Sequence, residues 1–247
     1  SRSARRYQLF HLLFQPILNA VAGFGMQDRE NADRIIRLGV EPGKVSVTGN
    51  LKLAGRESAA IPDSFGFSRH DGPVIVAGST HRGEEEIFLG ILPKLRRLHP
   101  GLLMVLAPRH PERFREVERL LRKRGERYRK RSDQCDARPG DEDVLLLDTL
   151  GELPRFYGYA HVAFVGGSLV PAGGHNIMEP ARMGKPVLFG PHYLNIAETA
   201  REMLVQGGGI VVHDEEDVLR EISGLLTDPT RAAAMGRRAR HVVDRSG

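Results

Sequence analysis

The feature that most limits the fold is an alternation, beginning at Pro73, of short continuous apolar runs with stretches of helical period. The runs cover 74–77, 102–107, 144–147, 162–165, 186–189 and 210–212. Strands that are apolar at every residue must be buried on both faces, and the helices between them supply the cover. The pattern predicts an α/β chain with a Rossmann-like, doubly wound parallel sheet over 73–247. One helix is expected at 85–98, where Ile87, Phe88, Ile91, Leu92 and Leu95 share a face and Pro93 should kink or shorten it.

Upstream, 7–18 has helical spacing, 19–26 reads as an apolar strand, 28–38 as a helix closed by Gly39, and 45–49 as a second strand. Residues 53–72 carry Gly, Ser, Pro and Asp without a lasting period and read as a linker. The division expected is therefore 1–52, 53–72 and 73–247. No run approaches the roughly 18 apolar residues of a membrane span. The candidate at 9–18 is short and broken by His11, Gln15 and Pro16. No signal-peptide cleavage pattern follows it, and the chain begins at Ser1 without Met, which reads as a cut.

The 36 Lys and Arg exceed the 31 Asp and Glu by five charges, an excess that suits nucleic acid, anionic membrane or an acidic small substrate equally. The Arg-rich stretch 122–131 lacks the interleaved aromatics of a single-stranded nucleic-acid groove and reads as a solvated helix end and loop. The single cysteine, Cys135, builds neither a disulfide nor a metal cluster.

Ligands of open parallel sheets bind beyond the carboxyl ends of the strands. The segments there are polar: Gly78-Ser79-Thr80-His81-Arg82-Gly83-Glu84, Pro108-Arg109-His110-Pro111-Glu112, Asp148-Thr149, Gly166-Gly167-Ser168 and Gly190-Pro191-His192. Gly173-Gly174-His175-Asn176 opens a short helix through Glu179, where main-chain amides suit a phosphate and Glu179 suits ribose hydroxyls. The alternative is that Asn176 caps that helix with Glu179 completing a capping box. Arg109 suits a bidentate phosphate contact, or else a surface pair with Glu112. His81 and His110 suit phosphate or sugar, or internal hydrogen bonds. Ser79 and Thr80 line the cleft or cap the following helix. Thr149 and Glu152 read as a capping box.

No P-loop, G-x-G-x-x-G or G-x-S-x-G motif occurs. Instead Ala77-Gly78-Ser79-Thr80-His81-Arg82-Gly83-Glu84-Glu85, Ala107-Pro108-Arg109-His110-Pro111-Glu112-Arg113-Phe114, Phe164-Val165-Gly166-Gly167-Ser168-Leu169-Val170 and Gly173-Gly174-His175-Asn176 with Glu179-Pro180-Ala181 together resemble the 3-deoxy-D-manno-octulosonic acid (Kdo) transferase family. Ser1-Arg2-Ser3, Met26-Gln27 and Val47-Thr48-Gly49-Asn50-Leu51-Lys52 resemble the family's last N-domain segments, so the likeness covers essentially the whole chain.

The resemblance implies the C-terminal, donor-nucleotide domain of a GT-B glycosyltransferase, preceded by the end of the acceptor domain. It implies inverting, metal-independent transfer of Kdo from CMP-Kdo to lipid IVA, a lipid A precursor, in lipopolysaccharide biosynthesis, with no cofactor and no nucleic acid. The binding residues it implies are Ser79, Thr80, His81, Arg109, His110, Gly166, Gly167, Ser168, Gly173, Gly174, His175, Asn176 and Glu179. The general base and the membrane-anchoring segment are expected in an N-terminal part that this sequence does not include. On that expectation the chain is a soluble, inactive fragment of an enzyme of the cytoplasmic face of a Gram-negative inner membrane. Other readings are a UDP-sugar transferase, a UDP-N-acetylglucosamine 2-epimerase, or a basic membrane or nucleic-acid module.

Overall fold

The structure, a computed structural model, describes residues 17–18, 20–26, 29–48, 70–133 and 142–246. The chain divides between Ala59 and Ala60. In the first unit β1 (Phe24–Met26) and β2 (Val45–Val47) pair in parallel and are joined through α1 (Arg29–Arg37). This is the expected strand, helix, strand order, with shorter strands. Of the helix expected at 7–18, Ile17 and Leu18 alone are described, and both are helical; the linker over 53–72 and Cys135 lie largely or wholly outside the described residues.

The second unit contains β3 (Val74–Thr80), α2 (Glu84–Leu98), β4 (Leu103–Pro108), α3 (Phe114–Arg124), β5 (Tyr128–Lys130), β6 (Val144–Leu146), α4 (Leu153–Tyr159) and β7 (Val162–Val165). After these come α5 (Met178–Arg182), β8 (Val187–Phe189), α6 (Ala197–Val205), β9 (Gly209–Val211), α7 (Glu215–Thr227) and α8 (Pro229–Arg245). The seven strands described form one parallel sheet in the order β5-β6-β4-β3-β7-β8-β9. The chain leaves β3 toward β4 on one side and later returns to place β7 on the other, so the strand order reverses at β3. Such a reversal opens a crevice at the carboxyl ends of β3 and β7.

The core explains why the apolar runs are continuous. Ile75, Met104, Leu106, Val144 and Phe164 are buried together with Phe88, Ile91, Leu92 and Leu95 of α2 and Val218, Ile222 and Leu225 of α7. Phe88 and Phe164 meet at a ring-centroid distance of 4.8 Å. Each such side chain contributes about 1.5–3 kcal/mol by leaving water. Pro93 does not shorten α2, which continues to Leu98. It lies on the exposed face, away from the packing that holds the helix.

Three local expectations change. β3 runs on through Gly78, Ser79 and Thr80, because Thr80 still pairs with Pro108 and Gly78 with Val165. The register breaks between Gly78 and Thr80, and Ser79 has a φ of 54°. Tyr128–Lys130 is an edge strand, not a loop. Its short, basic sequence hides the pairing, and its charges are met internally: Arg129 by Glu142 at 2.7 Å, Lys130 by Glu118 at 3.7 Å, and the adjacent Arg131 by Glu152 at 3.0 Å. Finally, Thr149 and Glu152 make no capping box. Glu152 is itself the N-cap of α4, and its carboxylate accepts from the Thr149 hydroxyl. Among the described residues no helix is long and apolar enough to cross a membrane.

Candidate functional site

The crevice is built around a buried carboxylate. Glu84, fully buried at the start of α2, accepts the main-chain N–H groups of His81 (2.8 Å), Gly167 (2.8 Å), Ser168 (3.0 Å) and Leu169 (2.9 Å). One side chain thus ties the loop after β3 to the loop after β7. Charge-assisted bonds of this kind are worth about 1.5–3 kcal/mol each and offset the cost of burying the charge. The approach is so close that a Cβ on Gly166 would lie 2.4 Å from the Ser79 carbonyl and 2.7 Å from Glu84 Oε2.

A second buried carboxylate sets the loop after β4. Glu85 accepts from the Thr80 hydroxyl at 2.8 Å and from both terminal nitrogens of Arg113, at 2.5 and 3.2 Å. Burial pushes the Glu85 carboxyl above its ordinary range, with Arg113 and Thr80 opposing. Arg113 reaches on to Glu116, which also pairs with Arg82. Since Arg113 follows Arg109 and His110 by one short turn, this grip positions both of them on the rim.

Three imidazoles gather there. His81 Nε2 lies 2.8 Å from His175 Nε2, with the rings 15° from parallel, and His110 meets His81 edge-on at 5.3 Å. Burial lowers His81; His110, Arg113 and Arg109 act in the same direction and Glu84 opposes. Burial, then His81, Arg109 and His110, lower His175 to about 4. Arg109 is exposed and is anchored by its N–H to the Thr80 carbonyl at 3.0 Å. The pair with Glu112 does not form; Glu112 instead stands 4.0 Å from His110 Nδ1.

The glycine-rich turn closes the other side. Gly174 N–H donates to the Gly167 carbonyl at 2.7 Å, and the Gly173 carbonyl accepts from Asn195 N–H at 2.9 Å. Asn176 stands one residue before the N-cap, Ile177: its Oδ1 accepts from Met178 N–H at 3.1 Å and its Nδ2 donates to Glu179 at 3.2 Å. α5, which follows, is a single turn of five residues.

Two expected lining residues face inward. The buried Ser168 hydroxyl donates to the Val165 carbonyl at 2.6 Å and accepts from Gly190 N–H at 2.8 Å, while Thr80 is spent on Glu85. Both shape the site from within. Ser79, His81, Arg109, His110, His175 and Glu179 remain at least partly accessible around the crevice, and Gly166, Gly167, Gly173 and Gly174 form its turns. Sequence reasoning missed the roles of Glu84, Glu85, Arg113 and Tyr157. Tyr157 is buried with its hydroxyl against Gly78, where a Cβ would lie 2.0 Å away, and burial followed by Glu179 raises its pKa well above the ordinary value. The legible signal was the Glu84-Glu85 doublet opening a helix whose inner face is already apolar. Among the described residues no group of three His, Cys, Asp or Glu side chains is placed to hold a metal ion.

The family model described as 3-deoxy-D-manno-octulosonic-acid transferase (kdotransferase) matches residues 1–54. The 3-deoxy-D-manno-octulosonic acid transferase of Haemophilus influenzae is 36% identical over 242 residues, covering 96% of this chain and 56% of the relative. That of Bordetella pertussis is 36% identical over 241 residues, covering 92% and 55%. The chain thus spans about half the length of these relatives. The crystal structure of the C-terminal CMP-Kdo binding domain of WaaA from Acinetobacter baumannii superposes with a TM-score of 0.68 at 28% identity, covering 78% of this chain and 96% of that domain.

Proposed function

This chain belongs by sequence to the Kdo transferase family, and from that premise we propose that its second unit binds CMP-Kdo for transfer of Kdo to a lipid A precursor in lipopolysaccharide biosynthesis. The observation that carries the reading is the crevice at the β3/β7 reversal, where Arg109 and the histidines cluster within the segment that matches a CMP-Kdo binding domain. In the proposed reaction an acceptor hydroxyl attacks the anomeric carbon of Kdo from the face opposite the phosphate and gives up its proton to a general base. The carbon–oxygen bond to CMP breaks, and its electron pair remains on the phosphate oxygen. That oxygen gains negative charge as the sugar acquires oxocarbenium character, so fixed cations and donors aimed at it lower the barrier. Arg109 is assigned to the phosphate, with His81 and His110 beside it, and Glu179 to the ribose hydroxyls. Ser79 and the glycine turns line the pocket. The leaving group carries one phosphate, so the reaction as proposed calls for no bridging metal and no cofactor. A lipid acceptor would place the enzyme at the cytoplasmic face of the inner membrane.

Titration calorimetry with CMP and UDP tests the reading. CMP should bind at least about tenfold more tightly than UDP, and Arg109→Ala should weaken CMP by about tenfold or more, the scale of a charged hydrogen bond. Neutralising Arg122, Lys123 and Arg124 together should leave CMP affinity unchanged. A clear UDP preference would overturn the assignment.

A further inference from the structure

The contact between His81 and His175 carries a further inference, which rests on the nucleotide-binding reading. Two imidazole nitrogens 2.8 Å apart share one proton: one ring donates and the other accepts. Gly167 makes room for the pair, since a Cβ there would meet His175 Cδ2 and Nε2 at 2.9 Å and His81 Cδ2 at 3.3 Å. The surroundings settle the direction. Arg109 opposes a charge on His175, and a proton on either neighbouring ring would oppose it further, whereas Glu84, whose carboxylate also accepts the His81 main-chain N–H at 2.8 Å, favours a charge on His81. A second proton therefore goes to His81, on Nδ1. The Nε2–H···Nε2 bond survives that protonation when His175 is the acceptor, and it breaks in the opposite arrangement.

We propose that His175 is a positioning residue: as a neutral Nε2 acceptor it holds the His81 proton on Nε2, so that a bound phosphate dianion draws one further proton from solvent onto His81 Nδ1. His81 then becomes an imidazolium bonded on one side to His175 and on the other to the anion. The unliganded site stays largely neutral at this ring because burial and the guanidinium groups of Arg113 and Arg109 disfavour the charge, and the arriving dianion reverses that balance.

The test uses the full chain with CMP as probe at pH 7.5, above the phosphate's own second pKa of about 6. Calorimetry in two buffers of different ionisation enthalpy should show uptake of roughly half a proton or more per CMP bound. His175→Gln, whose amide oxygen still accepts, should keep most of that uptake. His175→Ala should bind CMP about tenfold more weakly and lose the uptake. Nitrogen-15 NMR of the unliganded chain should show His175 as the Nδ1–H tautomer and His81 as the Nε2–H tautomer. CMP binding by the wild type without proton uptake, or both rings as Nε2–H tautomers, overturns the proposal while leaving the nucleotide reading intact. Failure of the wild type to bind CMP overturns that reading and the uptake with it, and the tautomers still decide whether His175 fixes His81.

Discussion

Glu84 Oε2 accepts the main-chain N–H of Gly167 at 2.8 Å, joining residues 83 positions apart at the point where the strand order reverses. Glu84→Gln replaces one accepting oxygen with an NH2 group that faces N–H donors. We expect a loss of about 2–4 kcal/mol in urea unfolding, and CMP affinity should fall with it. An unfolding midpoint equal to wild type would show that the carboxylate does not hold the two loops.

Gly166→Ala places a methyl 2.4 Å from the Ser79 carbonyl and 2.7 Å from Glu84 Oε2. Neither atom belongs to a flexible chain end, because Ser79 is main chain and Glu84 is held by four donors. The cost should be about 1–3 kcal/mol. Ser79 itself, with φ of 54°, should tolerate Gly and resist Val, since a β-branched side chain is strongly disfavoured there. Thermal melts of Ser79→Gly and Ser79→Val, compared side by side, check the sign.

Arg113→Ala leaves the Glu85 carboxylate buried without its cation. Removing one partner of such a pair costs about 3–5 kcal/mol. Burial already raises the Glu85 pKa, and loss of Arg113, which opposes that rise, should raise it further. As pH falls the carboxyl takes up a proton and no longer needs a cation. The penalty should therefore be larger at pH 7.5 than at pH 5, as urea midpoints of both proteins would show. A penalty independent of pH would mean that Glu85 stays charged.

His175 gives a slope of the opposite sense. Its folded pKa of about 4 lies below the ordinary 6.5, so between these values the unfolded chain binds more protons. Stability is retained above pH 6.5 and is lost as pH falls toward 4. His175→Gln should flatten part of that slope, although His81, His99 and His161, also lowered, will still contribute. Unfolding curves at pH 7, 5.5 and 4.5 measure it, and superimposable slopes would count against a buried neutral imidazole.

The sheet was readable because full burial forces β4, β6, β7 and β8, and β3 from Val74 to Ala77, to be apolar at every position. β5 was not, because an edge strand with Tyr128, Arg129 and Lys130 draws on partners such as Glu142 and Glu118 that sequence does not reveal. At the rim, Arg109 and His110 were readable from their place after a strand. The inward turn of Thr80 and Ser168 was not, because a hydroxyl reads the same whether it faces solvent or a buried carboxylate. Glu84 escaped notice for a related reason. An acidic residue in the first turn of a helix usually needs no explanation beyond the helix, and its four donors come mostly from a loop more than eighty residues away.

That grip also governs how the crevice can deform. The ends of β3 and β7 are bound through main-chain amides to a single side chain, so they behave as one stiff wall. The segment bearing His175 is attached to that wall through the Gly174–Gly167 bond and the imidazole contact. Motion on one side of the pocket should accordingly resemble a flap working against a fixed jamb, with slow amide exchange at Gly167 and Leu169 and faster exchange at Gly174, whose single bond to Gly167 is the hinge side's attachment.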